Sequence, residues 1–342
     1  QYIQYNHFHA NLPGNKYEAK TGELFINQQD TTITIKSFAI TPLISPATFT
    51  QQLKYEKEQY LSEIDSISIV GYDANAAIKH KTVRLSWLTI YGGFIDIFRS
   101  KEPPLNQKTR KLPQQLLKEY KDTLAIDQVE ISNFDVVYRL RKNANSKPGK
   151  IAFTKIDGTI RNISNLEQKE ENIIRINARG RVYGRSVLTL NATIPVWSSN
   201  NTHSINGSFD QIPFEAFNTI IQPLTSMAFE EGNLQQLNYN FELNKNTSSG
   251  EVKMLYSDLE LAYQGNGTED KELISWLANS IIINKNNLEK DKNFKAPSVQ
   301  YERDERKGLL NYWWKSLFAG MIQTAVTSEI AREKILEKKK ED

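Results

Sequence analysis

The chain has 342 residues, of which 39% are hydrophobic and 24% are charged, and its formal net charge is +3. This composition indicates a folded protein with a sizeable core and excludes a chain that is mainly a disordered charged tail. The nearly balanced charge does not indicate a surface that binds nucleic acid, so we expect no nucleic-acid partner. Because the chain contains no cysteine, disulfides and thiolate metal sites are excluded.

The sequence carries no recognisable membrane or export signal. No run approaches the roughly 18 apolar residues of a membrane-spanning helix. The first residues, QYIQYNHFHANLPG, lack the basic and then apolar layout of a signal peptide. If the protein is membrane-anchored, we therefore expect the anchor in an N-terminal segment absent from this chain.

Alternation of apolar and polar residues dominates the chain in segments of five to nine residues, which is the period of a strand with one buried face. Polar turns at 27–30, 142–149 and 244–250 separate many of these segments, so consecutive strands should pair as antiparallel meanders. The alternating apolar sets include Leu24 and Ile26; Ile33 and Ile35; Val129 and Ile131; Val136, Tyr138 and Leu140; Ile174 and Ile176; Leu188 to Val196; Leu237 to Leu243; and Val252 to Tyr263.

Helical spacing of apolar residues is confined to five places. Ser45 followed by Pro46 is typical of an N-cap and a first helical residue. The helices are predicted at about 46–62, 112–121, 213–226, 273–281 and 307–338. Acidic and basic residues dominate the second half of the last one, which suits a solvated helix end.

A weak internal repeat relates two segments, Ile33 to Ser45 and Ile151 to Ser164, each preceded by a strand and a polar turn. Together these patterns predict a mainly β, α+β fold built on an elongated, twisted antiparallel sheet that forms a groove. Residues 1–125 and 126–263 are expected to be two repeat-like parts of this sheet. Helices near 213 and 307 should cover its apolar side, and residues 264–342 should form a C-terminal helical cap.

Candidate chemistry is sparse. His7 and His9 fall on one side of a predicted strand, but no third ligand accompanies them, so we expect no metal site. His80 and His203 lie outside any nucleophile motif, and the chain has neither a Walker loop nor a dinucleotide fingerprint. We therefore expect neither a cofactor nor enzymatic activity.

Residues 206–326 contain a distinctive succession of motifs. NGSFDQIPFEAFNTIIQPL is followed by EEGNLQQLNYNFEL and GEVKMLYSDLELAY, then by LISWLANSIIINKNN and VQYERDERKGLLNYWWKSLFAGMIQTA. This succession resembles the C-terminal region of AsmA-like proteins of the domain-of-unknown-function type, relatives of bridge-like lipid transfer proteins. The similarity covers about a third of the chain, and the strand-turn-strand units upstream fit more loosely. The chain departs from the family by lacking an N-terminal anchor helix.

The resemblance implies a bacterial cell-envelope protein of the periplasm that handles phospholipid or another acyl lipid along a β-sheet groove. Asp30-Thr31-Thr32 and two similar triplets look like O-glycosylation sites of Bacteroidota periplasmic proteins. The alternative function is a non-enzymatic scaffold for outer-membrane assembly, which would bind a partner protein through a sheet edge or the last helix.

Alternation marks the side chains that such a groove would use. An ordinary sandwich or sheet-on-helix core would bury the same positions, so both interpretations stay open. The groove candidates are Ile131, Val136, Tyr138, Ile174, Ile176, Leu188, Leu190, Leu237, Tyr239, Phe241, Val252 and Met254.

An aromatic and aliphatic cluster marks the last helix, at Tyr312, Trp313, Trp314, Leu317 and Phe318. A helix with such a cluster either plugs one end of the sheet or lies at a membrane surface or a partner protein. The plug interpretation predicts buried rings, whereas the membrane interpretation predicts liposome binding that is lost on Trp313→Ala and Trp314→Ala.

Overall fold

The computed structural model describes residues 2–166, 172–225, 227–263 and 283–326. In these residues, fourteen strands form one open, twisted sheet, accompanied by few helices. The predicted fold class, mainly β within α+β, is therefore confirmed.

The strands follow one another across the sheet in chain order, except that the short β11 pairs only with β12. They are β1 (Tyr2–Asn11), β2 (Tyr17–Asn27), β3 (Thr32–Pro42), β4 (Gln59–Val70), β5 (Thr82–Ser100), β6 (Thr123–Arg141), β7 (Gly149–Ser164), β8 (Ile173–Val182), β9 (Ser186–Pro195), β10 (His203–Phe209), β11 (Ile212–Pro213), β12 (Met227–Leu243), β13 (Thr247–Tyr263) and β14 (Ser298–Glu302).

One neighbouring pair differs from the predicted antiparallel arrangement, because β5 and β6 run parallel. The sheet is therefore mixed. Parallel neighbours need a long crossover that returns the chain to the starting edge, and residues 101–122 provide it. This crossover carries the helix α3 (Pro113–Glu119).

The other helices are α1 (Pro46–Gln51), α2 (Ala74–His80), α4 (Asn218–Thr225), which follows a 3-10 turn at Phe214–Phe217, and α5 (Leu309–Ala325). The predicted start of α1 is confirmed, since the Ser45 hydroxyl accepts the N–H of Thr48 at 3.2 Å. The predicted extension of this helix to about Ser62 is wrong, because β4 begins at Gln59 and pairs with β3 and β5. The helix predicted at 273–281, and the last helix beyond 326, lie outside the described residues.

The sheet passes without a break through the predicted boundary at 125 and 126, which falls inside β6. The main buried cluster is confined to one part of the sheet. It includes Ile174, Ile205, Phe241, Val252 and Tyr312. The packed core therefore lies between two layers, one formed by strands β8 to β14 and the other by the helices. No helix within the described residues is long and apolar enough to cross a membrane.

Candidate functional site

An unbroken row of apolar side chains crosses eleven neighbouring strands. Residues directly opposite each other in a ladder point to the same face of the sheet, and each member of the row is paired with the next. The row is Ile3, Ile26, Ile33, Ile69, Leu88, Val129, Ile160, Ile176, Ala192, Ile205 and Phe241. We call the face that carries this row the apolar face.

A parallel row of the same face runs beside it through Tyr5, Leu24, Ile35, Ile67, Ile90 and Ile131. The intervening positions point to the opposite face and are largely polar; they include Thr34, Ser68, Thr89 and Glu130. The sheet is therefore amphipathic across its whole width, as its alternating sequence requires.

A line of interrupted pairs, which we call the crease, crosses the first six strands. The ladders skip the pairs between the residues that form it: His7, Gly22, Ser37, Asp65, Gly92 and Asn133. Several of these residues are left-handed, with φ of +55° at His7, +53° at Ser37 and +51° at Asn133. A left-handed residue inside a strand breaks the regular pleat and bends the strand.

The crease shifts the alternation by one residue in each strand. In β3, for example, the apolar positions are 33 and 35 before Ser37, and 38 and 40 after it. In β7, Phe153 and Ile160 flank the left-handed Lys155 and both pack against the same buried cluster. The shift therefore keeps apolar side chains on one face on both sides of the interruption.

The first row is more deeply buried at β10 and β12 than at β1 to β4. Ile3, Ile26, Ile33 and Ile69 are partly exposed, whereas Ile205 is 2% exposed and Phe241 is fully buried. On β1, Tyr5 and Phe8 of the same face are 57% and 58% exposed. The apolar face is thus covered at one side of the sheet and open to solvent at the other.

The crossover and α4 cover the middle of the apolar face. Leu117 of α3 packs against the buried cluster, and the Lys118 ammonium donates to the carbonyl of Ser198 at 2.9 Å. In α4, the Thr219 hydroxyl donates to the carbonyl of Lys150 at 3.0 Å. Among the described helices, α4 and α5 make their main sheet contacts with β6, β7 and β12 to β14, and no described helix makes contacts as extensive with β1 to β4.

α5 closes the far side through a very close approach. A Cβ atom at Gly320 would lie 2.3 Å from Val252 Cγ2, so only glycine allows the helix to lie this near β13. Beside it, the indole N–H of Trp313 donates to His203 Nε2 at 3.1 Å, and His203 Nδ1 lies 3.0 Å from the carbonyl oxygen of Asn201. Burial lowers the pKa of His203, and the charge of Arg303 lowers it further, although the Asn201 carbonyl opposes this shift.

An ionic cluster borders the apolar face at the C-terminal end of β5. Arg99 donates through Nε to Glu56 at 2.8 Å and through Nη1 to Glu58 at 3.1 Å. Burial disfavours the charged guanidinium, but the two carboxylates outweigh it, so the pKa of Arg99 is raised. The face therefore passes from aliphatic side chains to paired charges at this end of the strands.

All twelve predicted groove residues lie on the apolar face, but they fall into three environments. Ile131, Val136 and Tyr138 are partly exposed on β6. Ile176, Leu188 and Leu190 are partly buried against the core cluster. The remaining six are core residues with no surface open to a ligand in this structure: Ile174, Leu237, Tyr239, Phe241, Val252 and Met254.

The aromatic cluster of α5 divides between two sides of the helix. Tyr312 and Trp313 are 1% and 7% exposed and pack on the sheet, and Leu317 contacts the buried cluster. Trp314 is 50% exposed, and its ring lies 5.8 Å from that of Phe318. Burial of Tyr312 and Trp313 is what a plugging helix requires, so only Trp314 and Phe318 stay as candidates for an outward contact.

Sequence reasoning missed the most open part of this face. The candidates began at Ile131, although Leu24, Ile26, Ile33 and Ile35 showed the same alternation.

No group of three or more His, Asp or Glu residues that could hold a metal ion occurs in the described ranges.

No protein-family model matches the chain, and no curated protein is significantly similar to it. The similarity to AsmA-like proteins therefore rests on the sequence motifs alone and stays a prediction.

Proposed function

We propose that the open part of the apolar face binds the acyl chains of lipids, and that the protein carries or transfers lipid in the bacterial periplasm. The observation that supports this proposal most directly is the contiguous apolar face of β1 to β5, which combines Ile3, Ile33, Ile67 and Ile90 with the exposed rings of Tyr5 and Phe8. Soluble monomers rarely leave an apolar patch of this extent without a binding role. The periplasmic location follows from the AsmA-like resemblance only.

The dimensions of the face suit long acyl chains. The five strands β1 to β5, spaced at about 4.8 Å, give the open part a width of about 19 Å across the sheet. This width exceeds half the hydrocarbon thickness of a bilayer, about 15 Å, which is the depth that one acyl chain spans. A chain lying across these strands along the first row would contact only aliphatic side chains, from Ile3 to Leu88.

The energy available is sufficient for binding without any polar contact. Burial of a methylene group gains roughly 0.8 kcal/mol, so a sixteen-carbon chain that buries half of its surface gains about 6 kcal/mol. A face that is open on one side would hold such a chain while letting it slide, because its neighbouring aliphatic side chains are nearly equivalent. Handling lipid in this way involves no bond breaking, in keeping with the expectation that the protein is not an enzyme.

A pair of adjacent substitutions in β3 tests the proposal. Ile35 lies on the apolar face opposite Ile67, and its neighbour Thr34 lies on the polar face opposite Ser68. Ile35→Glu places a charge among the proposed acyl contacts, whereas Thr34→Glu adds the same charge to the other face. We would mix each protein with phosphatidylethanolamine vesicles and measure bound phospholipid by native mass spectrometry.

The wild type and Thr34→Glu should bind phospholipid at a reproducible stoichiometry, and Ile35→Glu should bind at least about tenfold less, equivalent to about 1.4 kcal/mol. Circular dichroism of all three proteins would establish that they are folded. If the folded Ile35→Glu protein takes up as much phospholipid as Thr34→Glu, or if the wild type takes up none, the proposal is wrong.

A further inference from the structure

A cluster of arginines lies on the polar face of the sheet, opposite the face proposed to bind lipid. β8 directs Arg175, Arg179 and Arg181 to the polar face, because these residues alternate with apolar-face residues such as Ile176. Arg161 of β7 lies directly opposite Arg175 in the ladder. All four arginines are exposed, and we call them the arginine patch.

The arginine patch has few acidic neighbours. β8, β9 and β10 contain no Asp or Glu, although the whole chain has 43 basic and 40 acidic residues. Asp157 of β7 lies opposite Arg179, but its Oδ1 accepts the N–H of Asn133 at 3.0 Å. Within the described residues, none of the four arginines forms an ion pair. The fold therefore concentrates positive charge on this part of a nearly neutral chain.

Two members of the patch repel each other. Arg161 and Arg175 occupy opposite positions of an antiparallel ladder, where like charges destabilise a sheet. Arg161 donates through Nε to Gln128 Oε1 at 3.1 Å, and this uncharged acceptor does not neutralise the guanidinium. An anion bound between the two side chains would relieve the repulsion, since guanidinium groups bind the oxygens of carboxylates and phosphates.

A ladder of asparagines adjoins the arginine patch on the same face. Asn177 lies between Arg175 and Arg179 along β8, and Asn191 of β9 and Asn206 of β10 continue the row. The Asn177 amide donates to Asn191 Oδ1 at 2.8 Å, and the Asn191 amide donates to Asn206 Oδ1 at 3.0 Å. Each amide has two N–H donors, so Asn177 and Asn191 each keep one for a ligand. Because the ladder already orders these side chains, binding them costs little rotamer entropy.

The surface around the ladder is made of hydroxyl side chains. Thr159 lies opposite Asn177, and the Thr189 hydroxyl lies 2.9 Å from the Ser208 hydroxyl. The polar face of β7 to β10 carries no aromatic residue, so it lacks the stacking platform that single-stranded nucleic acids use. Amides and hydroxyls are instead suited to a ligand that is rich in hydroxyl groups.

We propose that the arginine patch and the asparagine ladder bind an acidic polysaccharide. The guanidinium groups would contact acidic groups of the polymer, and the amides and hydroxyls would contact its hydroxyl groups. Arg175 and Arg181 lie about 20 Å apart along β8, so the patch suits a chain of repeated charges better than one small anion. The proposal goes beyond lipid binding and does not depend on it, because the two ligands would occupy opposite faces of the sheet.

Labelled alginate oligosaccharides, which carry a carboxylate on every sugar, test the proposal on the full chain. Binding would be measured by fluorescence anisotropy at low ionic strength, with dextran as the neutral polymer. Arg175→Gln combined with Arg179→Gln removes two charges from the patch. The matched control, Lys79→Gln combined with Arg84→Gln, removes two charges from exposed positions of α2 and β5. Asn191→Ala breaks both bonds of the ladder and leaves every charge in place.

Alginate should bind saturably and more weakly as salt is added, and dextran should bind far less. The patch variant should weaken alginate binding by about tenfold or more, equivalent to about 1.4 kcal/mol, and Asn191→Ala should weaken it measurably. The control should retain most of the binding, and circular dichroism would establish that every variant is folded.

The proposal is overturned if alginate does not bind, if the patch variant binds as well as the control, or if Asn191→Ala has no effect. Phosphatidylglycerol vesicles and single-stranded DNA would be tested in parallel. Tighter binding of either one than of alginate, lost in the patch variant, would also overturn the proposal, because the ligand would then be a membrane surface or a nucleic acid.

The acidic residues that precede β8 provide a test in the opposite direction. Glu170 and Glu171 lie outside the described residues, and Glu170→Gln combined with Glu171→Gln removes two negative charges close in sequence to Arg175. Alginate binding should be unchanged or tighter in this variant, because repulsion of an anion can only decrease. Weaker binding would contradict an anion site at the arginine patch.

Discussion

The contrast between the covered and open parts of the apolar face can be measured with one substitution made at two places. Ile205 and Ile33 belong to the same row of the sheet, and each has an apolar partner on both sides. Ile205 is 2% exposed beneath the covering helices, whereas Ile33 is partly exposed on β3. We expect Ile205→Ala to lower the free energy of unfolding far more than Ile33→Ala.

The magnitudes follow from burial. Each substitution removes three carbon atoms, worth about 2.4 kcal/mol when they are fully buried. At Ile205 the surrounding core leaves a cavity, which raises the expected cost to about 3 to 4 kcal/mol. At Ile33 the space is filled by solvent and part of the side chain was already exposed, so the cost should be about 1.5 kcal/mol.

Urea unfolding followed by far-UV circular dichroism would measure both values, provided that the dependence of the free energy on urea is unchanged by the substitutions. A difference of about 2 kcal/mol between the variants is the expected result. Equal costs would refute the reasoning, because they would mean that β3 is as tightly covered as β10.

Two further predictions concern the docking of α5. Burial lowers the pKa of His203 below 6.5 in the folded protein, so the unfolded state binds more protons than the folded state between the two pKa values. The contribution of the neutral imidazole to the free energy of unfolding should therefore be fully present above about pH 6.5 and should decline as the pH falls below it. The urea midpoint should therefore fall between pH 7.5 and 5.5, and His203→Gln should reduce this slope; identical slopes would contradict the neutral, buried imidazole. Gly320→Ala should destabilise the protein by about 1 to 3 kcal/mol, because the added methyl group would overlap Val252. The fluorescence of Trp313 should report the displacement of α5, and an unchanged free energy of unfolding would argue against so close an approach of α5 to β13.

The strands and the amphipathic sheet could be predicted because alternation is a local property of the sequence. The internal repeat also has a structural counterpart, since its two copies are β3 and β7. Both copies cross a left-handed residue, Ser37 and Lys155, and in both the apolar positions shift from odd to even numbers. The repeat was therefore a signal of the shift in alternation, which in β3 belongs to the crease, although the sequence alone does not reveal that such shifts line up across neighbouring strands.

The remaining features depend on contacts between distant residues. The parallel pairing of β5 with β6 depends on where the crossover returns, and no local pattern distinguishes that path from a hairpin. The helical covering of the face cannot be predicted locally either, because Ile33 and Ile205 alternate in the same way and differ only in whether helices pack over them. The bond between His203 and Trp313 joins residues 110 positions apart, so neither residue alone indicated it.

The crease also bears on how such a sheet finds its correct pairing during folding. Strands with nearly identical isoleucine patterns could slide past one another by two residues and still present apolar side chains to the same face. With the crease, such a slide would leave a stretch between two misaligned crease residues in which apolar side chains meet polar ones. The interruption thus acts as an alignment mark repeated in six strands, and it makes one register of the sheet more stable than its neighbours.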